Sequence, residues 1–120
     1  MSLLEDGYLE MCIGTLMHTL TIIPDYRRYD EVGRFYASVA DQQFPLNQFR
    51  QVEQLFGELF SVYPSSFLEK KLKNASRAYR ELHQERTVTL RELVQIGREN
   101  AQYRAREKVT ELQDYYEQLR

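Results

Sequence analysis

The sequence predicts an all-α protein, a four- to five-helix bundle with a long C-terminal helix. Three observations carry that expectation. Apolar residues recur at alternating steps of three and four in each long segment, the period of an amphipathic helix. The three prolines, Pro24, Pro45 and Pro64, fall between those stripes, where they end helices. Glycine is scarce as well, with five in 120 residues, which argues against collagen-like, low-complexity and turn-rich all-β classes. A chain of this length with 42% hydrophobic residues can bury a core without disulfides or metal, and it is read as a single domain over residues 1–120.

The first helix is expected over about residues 3–21. Ser2 and Glu5 have capping-box spacing, and Leu9, Ile13, Leu16, Leu20 and Ile23 form its apolar stripe. Gly7 and Gly14 lie one heptad apart, where a neighbouring backbone could come close. The second helix is expected over about 25–40, with Tyr26, Tyr29, Val32, Tyr36 and Val39 on one face and Phe35 and Ala40 beside it. Residues Asp41 to Pro45 read as a connection. The third helix, about 46–62, carries Phe49, Val52, Phe56, Leu59 and Tyr63.

The fourth helix is expected over about 67–84, capped by Ser66 with Glu69, and lined by Leu68, Leu72, Ala75, Tyr79 and Leu82. Thr89 and Glu92 open the fifth, about 90–119, which meets no proline and no strong stop. Its proximal stripe is Leu90, Val94, Gly97 and Ala101, and its distal stripe is Ala105, Val109, Leu112, Tyr116 and Leu119. The helices are expected to lean antiparallel with short connections. The fifth is too long for the others to cover. A second copy of the chain, another protein, or a fold-back after Gly97 must shelter its distal stripe, and dimerisation is the preferred expectation. Tyr103, Val109, Leu112, Tyr115, Tyr116 and Leu119 are the candidate partner-binding residues.

Charge is unevenly distributed. Residues 1–69 hold four basic against ten acidic residues, net −6, and residues 70–120 hold twelve against eight, net +4. Lys70, Lys73, Arg77 and Arg80 share a helix face, with Lys71 off it. They are candidates for contact with phosphates, with an acidic protein partner, or with the chain's own acidic N-terminal half. Arg86 and Arg91 would continue the patch. Tyr26-Arg27-Arg28-Tyr29 is a candidate stacking segment, because aromatics interleaved with arginine suit both nucleic acid and protein interfaces. Against a dedicated nucleic-acid domain stands the pI of about 5.7.

Catalytic chemistry finds little support. Cys12 is the single cysteine and lies on an apolar helix, so a buried structural thiol is expected. His18 and His83 have no partner at metal-ligand spacing, and no phosphate-binding glycine loop occurs. No enzyme activity, cofactor or metal is expected. No signal-peptide pattern or apolar run of membrane-spanning length is present, so a cytoplasmic location is expected. The leading reading is a small helical interaction module, homodimeric through its last helix, acting as an assembly factor, adaptor or small subunit. The alternative is an accessory nucleic-acid-binding subunit using the basic face. The cap-and-heptad pattern is common to unrelated small helical proteins and carries no function by itself.

Overall fold

The computed structural model describes residues 2–82 and 85–119. The chain is an all-α bundle with five α-helices among the described residues: α1 (Tyr8–Ile22), α2 (Asp25–Val39), α3 (Phe49–Val62), α4 (Ser66–Glu81) and α5 (Leu90–Gln118). Two short strands, β1 (Gln43–Pro45) and β2 (Thr87–Thr89), pair antiparallel, with Phe44 opposite Val88.

The helix stripes expected from the periodicity form one core. Leu9, Ile13, Leu16 and Leu20 of α1 are buried with Val32, Phe35, Tyr36 and Val39 of α2 and Phe49, Val52, Phe56 and Leu59 of α3. Aromatic contacts tie the layers together. Phe35 meets Phe56 with ring centroids 5.8 Å apart, and Phe49 stacks on Tyr79 of α4 at 4.9 Å. Two residues of the predicted α2 stripe are not in the core: Tyr26 and Tyr29 are 76% and 60% exposed. They occupy the first turns of α2, at the rim of the core, where Tyr29 meets Phe67 of α4 edge-on.

Two helices, α1 and α3, start later than expected. α1 begins at Tyr8 and not at Leu3, because Asp6 (φ 50°) and Gly7 (φ 70°) are left-handed and leave a 3-10 turn over Glu5–Gly7. Glycine suits such a φ because it has no Cβ to clash. The Ser2 N–H does donate to Glu5 Oε2 at 3.1 Å, so the predicted pair closes a turn and does not cap the helix. Leu3, fully buried, anchors the segment, and its N–H donates to the Gln43 carbonyl at 2.7 Å. Burial of that leucine outweighs another turn of helix. A 3-10 turn over Leu46–Gln48 likewise delays α3.

The cap of α4 is Ser65, one residue ahead of the predicted Ser66, and its hydroxyl accepts the Leu68 N–H at 3.3 Å. Thr89 caps α5 as predicted, accepting the Glu92 N–H at 3.2 Å. Since N-cap hydroxyls are worth ~1 kcal/mol, Ser65→Ala and Thr89→Ala should each lower the melting temperature by about 4 °C. Ser66→Ala should shift it by less than about 2 °C. Circular dichroism melts of the three variants check the assignment, and a larger loss at Ser66 than at Ser65 would contradict it.

The connection expected over 41–45 holds β1, whose alternation buries Phe44 completely, and Val88 of β2 is buried opposite it. The strand pair is a node for the fold. The Leu46 N–H donates to the Arg86 carbonyl (2.8 Å) and the Arg91 N–H to the Ala40 carbonyl (3.0 Å). β2 also carries the chain back along α4 before α5 starts. Phe67 and Lys71, early in α4, share Tyr36 with Arg91 at the start of α5. Glu81, at the end of α4, bonds Asn100 and Arg104 further along α5. α4 and α5 therefore run in the same general sense, not antiparallel.

The two helices cross at Asn74 and Gly97. A Cβ on Gly97 would lie 1.8 Å from the Asn74 carbonyl oxygen. Close approach thus occurs here and not at Gly7 or Gly14, which have nothing within 4 Å of a built Cβ. Gly7 instead serves a backbone bend.

Candidate functional site

α5 has 29 residues, about 44 Å at 1.5 Å per residue. Its proximal part is covered: Leu90, Leu93, Val94 and Gly97 are buried and Ala101 is half-buried. Beyond the crossing it leaves the body, and every residue from 102 to 119 is exposed. The helix continues unbroken through Gln118, so the fold-back after Gly97 does not occur. Val109, Leu112, Tyr116 and Leu119 follow 3-4 spacing on this rod, with Tyr115 beside them, whereas Tyr103, about 180° round the axis from Leu112, lies on the outer face with Glu107. These six side chains are 54–65% exposed. Tyr115 and Tyr116 meet edge-on at 5.8 Å. A hydrogen bond with Glu107 and that carboxylate's charge raise the Tyr103 phenol above its ordinary pKa, so it stays neutral.

The flanks of this seam are chemically uneven. With Val109 and Leu112 as the inward heptad pair, the adjoining positions are Arg106, Lys108, Gln113 and Tyr115. Glu107, Glu111, Asp114 and Glu117 lie on the outer face. The seam edge carries two cations and no acid.

The basic residues of α4 do not act as one face. Lys73 and Arg80 line a concavity of about 500 Å³ shared with Glu53 of α3 and with Glu69. Arg77 is half-buried and donates to Asn74 Oδ1 at 3.3 Å. Lys70 turns the other way, toward α5. There it joins Lys71, which the helical wheel left off the face, and Arg98, which the sequence pattern did not single out. Along the expected continuation Arg91 shares the Tyr36 ring with Lys71, but both arginines have carboxylate partners. Arg86 pairs with Glu92 at 3.1 Å, and Arg91 with Asp41 at 2.6 Å.

Lys71 lies over two aromatic rings, its Nζ 5.0 Å from the Tyr36 centroid and 4.8 Å from that of Phe67. Desolvation, then repulsion from Arg98 and Arg91, lowers its pKa from the usual lysine value. The Tyr36 phenol is raised, chiefly by burial, with Arg91 working in the opposite direction. Signals for this cluster existed in the sequence as a Lys-Lys pair and Arg98. Only the return of the chain through β2 brings them together.

In the Tyr26–Tyr29 segment the arginines divide. Arg27 is exposed and sits 5.8 Å from the Tyr26 ring centroid. Arg28 is engaged inside the molecule: its Nε donates to the Leu20 carbonyl at 3.0 Å and its Nη1 pairs with Asp25 at 2.7 Å. Tyr29 meets Phe67 edge-on at 5.5 Å, which places it near Lys70 and Lys71.

Cys12 is half-buried and not enclosed as expected. It lines a shallow apolar groove between α1 and α2 with Met11 and Phe35. His18 is exposed, six residues on and about 240° around the helix from Cys12, so the two do not form a nucleophile–base pair. His83 lies outside the described residues. Among the described residues no group of three or more His, Cys, Asp or Glu side chains is placed to hold a metal ion. No helix among them is long and apolar enough to cross a membrane. No protein-family model matches the chain, and no curated protein or solved structure is significantly similar to it.

Proposed function

We propose that the protein is a small helical interaction module, an adaptor or assembly subunit, that pairs with a second copy of itself through the projecting half of α5. The observation that carries this reading is the continuous exposed stretch 102–119 with an apolar seam on one side. Fully burying a valine or leucine is worth ~1.5–3 kcal/mol. Four seam residues from each of two rods therefore supply on the order of 10 kcal/mol even when half of each is already covered. That exceeds the lower end of the ~4–15 kcal/mol cost of association by about 6 kcal/mol, the surplus that pairing at tens of micromolar requires.

Charge supports a like partner. In an antiparallel pair Lys108 faces Tyr115 of the other copy and Arg106 faces Gln113, so no like charges oppose each other. Antiparallel rods also keep the two bodies at opposite ends. Parallel rods 8–10 Å apart would press together bodies that belong to a molecule 38 Å across its second axis.

Sedimentation equilibrium of the full chain should give a dimer mass at tens of micromolar. Leu112→Glu puts a carboxylate from each copy into the seam and should weaken pairing at least ~100-fold, leaving a folded monomer. A wild-type monomer at that concentration would remove the reading. So would a dimer that Leu112→Glu leaves intact.

A further inference from the structure

The cations gathered where α4 and α5 cross have no role in the rod. Six arginines of the molecule are neutralised: Arg28, Arg34, Arg50, Arg86, Arg91 and Arg104 each have a carboxylate partner. Lys70, Lys71 and Arg98 have no ion pair among the described residues. They line one concavity of about 540 Å³ together with Asn74 and Gln102, and no acidic residue lines it. Two alanines of α5 leave its floor open.

We propose that this concavity binds the phosphoryl groups of a small polyphosphorylated ligand, held by Lys70, Lys71 and Arg98. Three features favour it. The Lys71 ammonium is held between the Tyr36 and Phe67 rings, so a donor is fixed in place before any ligand arrives. Like charges crowded at a partly desolvated position repel until an anion enters. Three converging cations with two amides match the charge and the several acceptor oxygens of a di- or triphosphate better than a single carboxylate.

Size and layout separate this ligand from a nucleic-acid strand. A concavity of a few hundred Å³ is the scale of small-molecule sites. A strand needs a track of contacts, ~6–10 phosphates for salt-sensitive binding. Of the cations beyond it, Arg91 is neutralised by Asp41, and Lys73 and Arg80 belong to the other concavity, beside Glu53 and Glu69. Two sources of the phosphoryl groups remain: free polyphosphate and a nucleotide. Tyr29 bears on the choice, because its exposed ring adjoins Phe67 at the rim and offers a stacking surface for a base.

Isothermal titration of the full-length protein with tripolyphosphate and with ATP at low salt tests the site. Saturable one-site binding is expected. Lys71→Met and Arg98→Gln should each weaken it at least tenfold, while Lys73→Gln, outside the concavity, should change it less than twofold. If Lys71→Met fails to fold, Lys70→Gln and Arg98→Gln, both at exposed positions, decide the matter. Equal affinities identify free polyphosphate as the source. Tighter ATP binding that falls to the tripolyphosphate level in Tyr29→Ala identifies a nucleotide. No binding of either ligand overturns the proposal, as does equal loss in Lys73→Gln and Arg98→Gln. A thymidylate oligomer that displaces ATP with a salt dependence of six or more phosphates also overturns it, in favour of a nucleic-acid track.

Discussion

Replacing Phe44 by alanine should cost ~3–5 kcal/mol of stability, the range for emptying a fully buried phenylalanine site. The ring has no exposed surface, and it stands opposite Val88 in the strand pair. The same pair receives the Leu3 N–H at Gln43, and the Leu46 N–H reaches the Arg86 carbonyl beside it. A cavity there loosens the N-terminal segment, the entry to α3 and the start of α5 together. Urea unfolding should show a midpoint far below wild type with an unchanged m-value. Val109→Ala, on the exposed rod, should change stability by less than ~0.5 kcal/mol when measured dilute enough to be monomeric. A loss under ~1.5 kcal/mol in Phe44→Ala would mean that residues 41–45 are the solvated connection their composition suggests.

Gly97→Ala tests the helix crossing through the sign of its effect. In an open helix this change adds ~1 kcal/mol of stability, because alanine has the higher helix propensity. At position 97 the new Cβ would sit 1.8 Å from the Asn74 carbonyl oxygen and 2.5 Å from its carbonyl carbon. Those are backbone atoms of another helix, so no side-chain rotation relieves the clash. α5 must move off α4, which loosens the packing of Leu93 and Val94. Overpacking of this kind costs ~1–3 kcal/mol and more where the backbone resists.

We expect a net loss of about 3 kcal/mol, a fall in melting temperature of roughly 12 °C. Gly14→Ala and Gly57→Ala supply the contrast, since a Cβ at either position meets nothing within 4 Å. Both should hold or raise the melting temperature. A stabilised Gly97→Ala protein would show that the helices are further apart than described.

Elements that depend on neighbours in the chain are legible in the residue order alone. Period, proline placement and cap residues located all five helices, and the stripes named most of the core, because each signal acts within a few turns of backbone. The exposed rod was legible for the same reason: a helix longer than its neighbours cannot be covered by them. Failures came where a distant contact outweighed a local preference. Leu3 is buried against β1 and gives up a helical start. Phe44 and Val88 read as loop residues until they face each other. Tyr26 fits the periodic stripe, yet it lies beyond the reach of the core.

The candidate site divides along the same line. Helical spacing grouped Lys70, Lys73, Arg77 and Arg80, because a wheel records angle around one axis and nothing about the neighbouring helix. The tertiary structure regrouped them. Asn74 and Gly97 fix the crossing point, and β2 sets the sense in which α5 runs past α4. Together they bring Arg98 to Lys70 and Lys71 and send Lys73 and Arg80 to the opposite side. Where charges from separate helices converge depends on crossing geometry, and a one-dimensional pattern carries no information about that angle.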